Sequence, residues 1–163
     1  MVKAEWDRLR RCRQALDALR EHGWTLAVAE SLTGGMLSAA IVEVPGASTV
    51  YRGGAVTYAT NTKATVLGVD AQQLAATGPV NDVVAMQMAH GAARLFGADW
   101  AMSTTGVAGP GDSPDGKEGT VFVAVHGPTV QQVKLHHLRG GRQAVREQAV
   151  DAALDLLLES LLQ

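Results

Sequence analysis

Ala29-Glu30-Ser31-Leu32-Thr33-Gly34-Gly35 joins two segments of different periodicity, and its reading decides the architecture. Ahead of it, Trp24-Thr25-Leu26-Ala27-Val28-Ala29 is apolar and free of breakers, the mark of a short buried strand. Behind it, over residues 36–43, Met36, Leu37, Ala40 and Ile41 recur at helical spacing, and Pro45 follows the end. The seven residues therefore turn a strand into a helix. A helix start leaves N–H groups without intrahelical partners, and such groups attract phosphates and oxyanions. Gly34 and Gly35 permit close approach to the backbone, while Glu30, Ser31 and Thr33 add a carboxylate and two hydroxyls. Two readings stand open here: a ligand-binding junction, or a plain helix start capped by Ser31 or Thr33.

Working outward, residues 4–22 predict an amphipathic helix, with Trp6, Leu9, Cys12, Leu16 and Leu19 on one face and Gly23 at its end. A turn at Pro45-Gly46-Ala47-Ser48 leads to a second strand over 53–58, entered through a glycine pair. Asn61 is placed to cap a short helix carrying Lys63 and closed by Gly68, and another short helix covers 70–76. A long helix over 82–96 ends at Gly97, with Met86 and Met88 as core fillers. Residues 100–105 form a buried third strand, followed by a glycine-rich loop over 106–118. Residues 119–125 and 130–138 read as a hairpin across His126-Gly127-Pro128, and 142–162 as a closing helix. This alternation predicts a single α/β domain over 1–163: a three-layer α/β/α sandwich with a mixed, mostly parallel sheet of about five strands.

Composition narrows the function classes. A formal charge of −2 over 163 residues argues against a nucleic-acid partner, whose footprint is a basic face. The single cysteine, Cys12, excludes an internal disulfide and fits a reducing compartment. The charged N-terminus and the lack of a long apolar run predict a cytoplasmic protein with no membrane partner. The broad apolar faces of the long helices leave room for a homodimer.

Chemistry in an open α/β sheet gathers beyond the carboxyl ends of its strands. Those ends are Glu30-Ser31, Tyr58, and Thr104-Thr105-Gly106, which converge on one edge if the strands are parallel neighbours. Ser31 needs a base to become a nucleophile. None of His22, His90, His126, His136 and His137 falls at such an end. Lys63 follows Tyr58 by five residues across a strand-to-helix turn. A desolvated lysine loses its proton near neutrality, and Ser–Lys pairs are known variants of the catalytic triad. Tyr58 would relay or orient that proton. An exposed lysine beside an ordinary tyrosine fits the same spacing. The glycine-rich loop carries no dinucleotide or P-loop pattern, and the His and Cys residues lack metal-ligand spacing, so neither a cofactor nor a metal is expected. Arg142 and Arg146, one helical turn apart, either grip a phosphate or carboxylate together or lie solvated.

Several stretches in order resemble the C-terminal domain of CinA proteins, a family that includes bacterial nicotinamide-nucleotide amidohydrolases. They are Ala29-Glu30-Ser31-x-Thr33-Gly34-Gly35, Val44-Pro45-Gly46-Ala47-Ser48, Gly53-Gly54-Ala55-Val56-Thr57-Tyr58, Lys63-x-x-x-Leu67-Gly68-Val69, Thr105-Gly106-Val107-Ala108-Gly109-Pro110, Gly119-Thr120-Val121 and Arg142-x-x-Val145-Arg146. The resemblance runs from about residue 8 to the end. It implies a three-layer fold and hydrolysis of the carboxamide of nicotinamide mononucleotide, a pyridine nucleotide, to nicotinate mononucleotide and ammonia. It implies Ser31 as nucleophile with Tyr58 and Lys63 handling protons. N–H groups around Thr33, Gly34 and Gly35 would hold the oxyanion. Glu30, Thr105, Gly106, Gly109 and Arg142 would complete the substrate site. The alternative is a relative that binds a nucleotide or phosphate ligand without turnover. Three departures stand out: Leu32 where the family commonly has cysteine, Gly141 where an aspartate is usual, and Gly116-Lys117-Glu118 in place of a Lys-Pro-Val. The resemblance covers only the C-terminal domain of full-length CinA, which predicts a stand-alone form.

Overall fold

The computed structural model describes residues 2–163. In chain order the elements are α1 (Lys3–Glu21), β1 (Leu26–Glu30), α2 (Met36–Val42), β2 (Tyr51–Val56), α3 (Thr60–Leu67), α4 (Ala71–Thr77), α5 (Asp82–Phe96), β3 (Trp100–Gly106), β4 (Thr120–His126), β5 (Gln131–His137) and α6 (Arg142–Leu161), with a 3₁₀ turn at Ala47–Thr49. The sheet order is β2-β1-β3-β4-β5. β1 pairs in parallel with β2 and β3, while β4 runs antiparallel to β3 and β5. The expected mixed, mostly parallel five-stranded sheet is therefore present, with β4 as its reversed member. The adjacent parallel strands β1, β2 and β3 end together on one edge.

Alternation along the strands sorts side chains onto two faces. Leu26 and Val28 of β1, with Trp100 and Met102 of β3, face α1, α2 and α6. Ala27, Ala29 and Ala101 face α5. The small side chains on that second face let α5 lie close to the sheet, while the bulkier first face supports the α1–α6 pair. Arg8 and Arg11 of α1 tie that pair with ion pairs to Asp151 and Asp155 of α6. Each face is covered, which completes the three layers.

Local boundaries depart from expectation in three places. β2 starts at Tyr51 and runs through the glycine pair, leaving Tyr58 beyond its end. The glycines belong inside the strand because the Phe96 ring crowds the Cα of Gly53, and Val28 and the Tyr51 and Ser38 hydroxyls crowd that of Gly54. α3 begins at Thr60 behind Ala59, so Asn61 lies within the helix and is not its cap. At α2 the N-cap position belongs to Gly35, neither to Ser31 nor to Thr33. Among the described residues, no helix is long and apolar enough to cross a membrane.

Candidate active site

Glu30 closes β1, and its carboxylate is fully buried. Oε1 accepts from Thr33 Oγ1 at 2.7 Å and from the N–H groups of Gly35 (3.2 Å) and Leu37 (2.9 Å). Oε2 accepts from Ser38 N–H (3.1 Å) and Ser38 Oγ (2.7 Å). The carboxylate thus does the capping that one of the two open readings gave to Ser31 or Thr33. Gly34 and Gly35 have φ of +57° and +103°, values that only glycine adopts easily, and they carry the chain around this acid. Glu30 does not line the cleft, which corrects its expected place as a substrate contact: all its acceptor capacity faces the protein.

The same bonds correct the expected oxyanion donors. Gly35 N–H is spent on Glu30, and Gly34 N–H on the carbonyl of Ser31 at 3.1 Å. Among the described residues the N–H groups of Leu32 and Thr33 have no hydrogen-bond partner. Leu32 lines the cleft next to Ser31, whereas Thr33 does not. Thr33 itself is buried, its hydroxyl shared between Glu30 and Thr104 Oγ1 (2.8 Å).

Ser31 is 8% exposed, its N–H fixed to the Thr104 carbonyl at 3.1 Å. α3 brings Lys63 in from the neighbouring strand end. Lys63 is 1% exposed, and its Nζ donates to Ser31 Oγ at 2.9 Å and to the Thr57 carbonyl at 2.6 Å. Burial pushes its pKa down from 10.5 to about 8, against a small upward pull from the Asp115 carboxylate. An exposed helix-start lysine is thereby excluded. One neutral-form N–H held by Thr57 leaves the amine lone pair free to take the Ser31 proton.

Tyr58 stands apart from this pair. It is 61% exposed at the rim, and its hydroxyl accepts from Arg142 Nη2 at 3.1 Å. It makes no hydrogen bond to Ser31 or Lys63, so the expected proton relay through its phenol is not assembled. Lys63 reaches the serine directly. Arg142 also donates from Nη1 to the Gly109 carbonyl at 2.5 Å, bridging the glycine-rich loop to Tyr58 across the cleft mouth. Arg146 does not join it. Its Nε and Nη2 are spent on the carbonyls of Leu32 (2.9 Å) and Thr33 (3.4 Å), which rules out a two-arginine grip.

The cleft is walled by Ser31, Leu32, Tyr58, Lys63, Thr105, Gly106, Asp115 and Arg142, with Pro79 and Ala108 as apolar patches. It opens past Tyr58 and Arg142 into a recess over residues 106–113, where Gly109 lies. Thr105 lines the wall while its hydroxyl donates to the Pro79 carbonyl at 2.8 Å. Gly34 and Gly35 line neither space. Two contributors escaped the sequence reading. The Thr57 carbonyl carries no side-chain signal. Asp115 is one acid among several in a loop whose path the sequence does not specify. Among the described residues no three His, Cys, Asp or Glu side chains cluster as a metal would require.

The model of the CinA C-terminal domain family matches residues 10–161. A CinA-like protein of Frankia casuarinae is 44% identical over 146 residues, covering 90% of this chain and 34% of its own length. One from Geobacter metallireducens is 45% identical over 144 residues, covering 88% and 35%. The chain thus spans about a third of the length of these curated relatives. Among solved structures, the competence/damage inducible protein CihA from Agrobacterium tumefaciens superposes with a TM-score of 0.91 at 33% identity, covering 96% of both chains. The competence damage-inducible protein A (ComA) from Klebsiella pneumoniae gives 0.92 at 34% identity, covering 96% of this chain and 98% of that one.

Proposed function

The chain belongs to the CinA C-terminal domain family, and on that premise we propose that it is a serine amidohydrolase acting on the carboxamide of nicotinamide mononucleotide. The observation that carries this reading is the 2.9 Å contact between two buried groups, Lys63 Nζ and Ser31 Oγ, far apart in sequence. In the neutral form Lys63 takes the Ser31 proton as Oγ attacks the amide carbon. The oxyanion forms beside the N–H of Leu32, which lines the cleft next to Ser31. Lys63 then passes its proton to the amide nitrogen, the C–N bond breaks, and ammonia leaves. Water attacks the acyl ester, again losing a proton to Lys63, and Ser31 departs with that proton as nicotinate mononucleotide is released. Tyr58 offers its ring face to the pyridinium at the rim, a cation–π contact. Arg142 is the cation available to the substrate's phosphate in the outer recess.

Ammonia release from nicotinamide mononucleotide by the wild type, Ser31→Ala and Lys63→Met tests this. The expected result is turnover in the wild type and a loss of about 10⁴-fold or more in each variant. Wild-type binding without ammonia would replace the enzyme by a ligand-binding protein. Undiminished activity in Ser31→Ala would remove the acyl-enzyme.

A further inference from the structure

Two of the acids in the glycine-rich loop are spent within it. Asp112 Oδ1 accepts from the Glu118 N–H at 2.9 Å, and Glu118 Oε2 accepts from the Gly111 N–H at 3.2 Å. Asp115 is placed differently. It sits in a tight turn closed by bonds in both directions between Ser113 and Gly116, at 2.9 and 3.1 Å. Its own N–H donates to Ser113 Oγ at 3.1 Å, so the backbone is fixed without help from its side chain. That side chain lies against Gly78, where a Cβ would stand 3.2 Å from Oδ1. Among the described residues the Asp115 carboxylate has no hydrogen bond and no ion pair. It lines the cleft that holds Ser31 and Lys63, and the outer recess as well.

Charge is thereby laid out along the cleft. At the inner end Asp115 exerts an upward pull on the Lys63 pKa, so its field reaches the amine beside Ser31. At the outer end Arg142 is tied to the Gly109 carbonyl and the Tyr58 hydroxyl. A nicotinamide nucleotide has the matching order: an amide-bearing ring with a fixed positive charge, then ribose, then phosphate. For its amide carbon to meet Ser31 Oγ the ring must enter the cleft, and its charged nitrogen then lies in the space that Asp115 walls. Resting on the amidohydrolase reading above, we propose that Asp115 determines specificity for the charge of the ring: its unpaired carboxylate selects the cationic pyridinium over the neutral dihydropyridine form of the same nucleotide. Once Lys63 is neutral and poised to act as base, this carboxylate has no counter-charge in the inner cleft, and the pyridinium supplies one. Away from bulk water such an attraction is strengthened. A neutral ring would instead strip water from the carboxylate and return nothing, which discriminates against it.

The test is calorimetry with nicotinamide mononucleotide and with its reduced, dihydropyridine form, in the Ser31→Ala background so that substrate is not consumed. It is run at about pH 9, above the Lys63 pKa of about 8, on protein carrying Asp115, Asp115→Asn or Asp115→Glu, with melting temperatures recorded. With Asp115 in place the oxidised form is expected to bind about fivefold more tightly than the reduced form. Asp115→Asn is expected to erase that preference by weakening the oxidised form alone, and Asp115→Glu to keep most of it. With Ser31 intact, ammonia release then shows KM for the oxidised form raised about fivefold in Asp115→Asn. Equal affinity for the two forms when Asp115 is present overturns the proposal, as does a preference that survives in Asp115→Asn. Equal weakening of both forms also overturns it, because a loop that merely holds its shape would give that result. Failure of the underlying reading looks different. If Asp115→Asn erases the preference but the enzyme with Ser31 intact releases no ammonia, Asp115 keeps its role and the amidohydrolase falls. Binding of neither form removes both.

Discussion

Removing an ammonium from water disfavours its charged form, and Lys63 is removed almost completely. Its pKa of about 8 has two consequences with definite signs. In the proposed mechanism the neutral amine is the active form, so kcat/KM is expected to rise with pH, reach half its maximum near 8 and level off above. A profile flat from pH 6 to 9 would contradict this. In stability, the unfolded chain keeps the Lys63 proton up to about 10.5 and the folded chain only to about 8. Between those values the unfolded state binds more protons, so stability rises with pH. Below pH 8 the buried charge costs the fold on the order of 3 kcal/mol, and losing a donor to the Thr57 carbonyl offsets about 1 kcal/mol of any gain from its removal. Lys63→Met is therefore expected to melt about 4–8 °C higher than the wild type at pH 7, with an advantage that shrinks toward pH 10. Thermal melts at the two pH values check this.

At the scale of the element, the junction between β1 and α2 was legible as a strand-to-helix turn because periodicity changes sharply across it. The capping group was not. Ser31 and Thr33 stand where a cap would sit if the helix began at once, but the left-handed pair Gly34-Gly35 adds a further turn and moves the start to Met36. Glu30, the last strand residue, is then the group that reaches back over the first turn of the helix. This bond pattern also decides which N–H groups remain for chemistry, which counting residues from the helix start misassigned. Glu30→Ala leaves several buried donors unpaired and is expected to cost about 3 kcal/mol or more, a fall of about 6–12 °C in melting temperature. Calorimetry measures it. A change of less than about 1 kcal/mol would mean that water substitutes for the carboxylate.

Across the whole molecule, the parallel strands were legible from the alternation of strand and helix signals. With β1 between β2 and β3, their carboxyl ends had to share an edge. The contact between Ser31 and Lys63 follows from that edge plus the placement of α3, which sequence spacing leaves undetermined. α3 is seated by α5: Gly91 of α5 touches the Leu67 carbonyl so closely that any side chain there would displace it. Overpacking of this kind costs about 1–3 kcal/mol. Gly91→Ala is thus expected to lower the melting temperature and, because α3 carries Lys63, to lower kcat as well. Parallel melts and turnover assays check this, and an altered melt with untouched kcat would uncouple α3 from the site. Tyr58 marks the limit of legibility in the other direction. Its place after β2 suggested a proton relay, yet with the strand ending at Val56 the ring stands at the rim beside Arg142.

An acyl-enzyme on Ser31 is open to trapping with hydroxylamine, a stronger nucleophile than water. With nicotinamide mononucleotide and hydroxylamine together, the wild type is expected to yield the nicotinohydroxamate nucleotide beside nicotinate mononucleotide, and Ser31→Ala neither. Turnover by the wild type that gives nicotinate mononucleotide alone, at every hydroxylamine concentration, would contradict it.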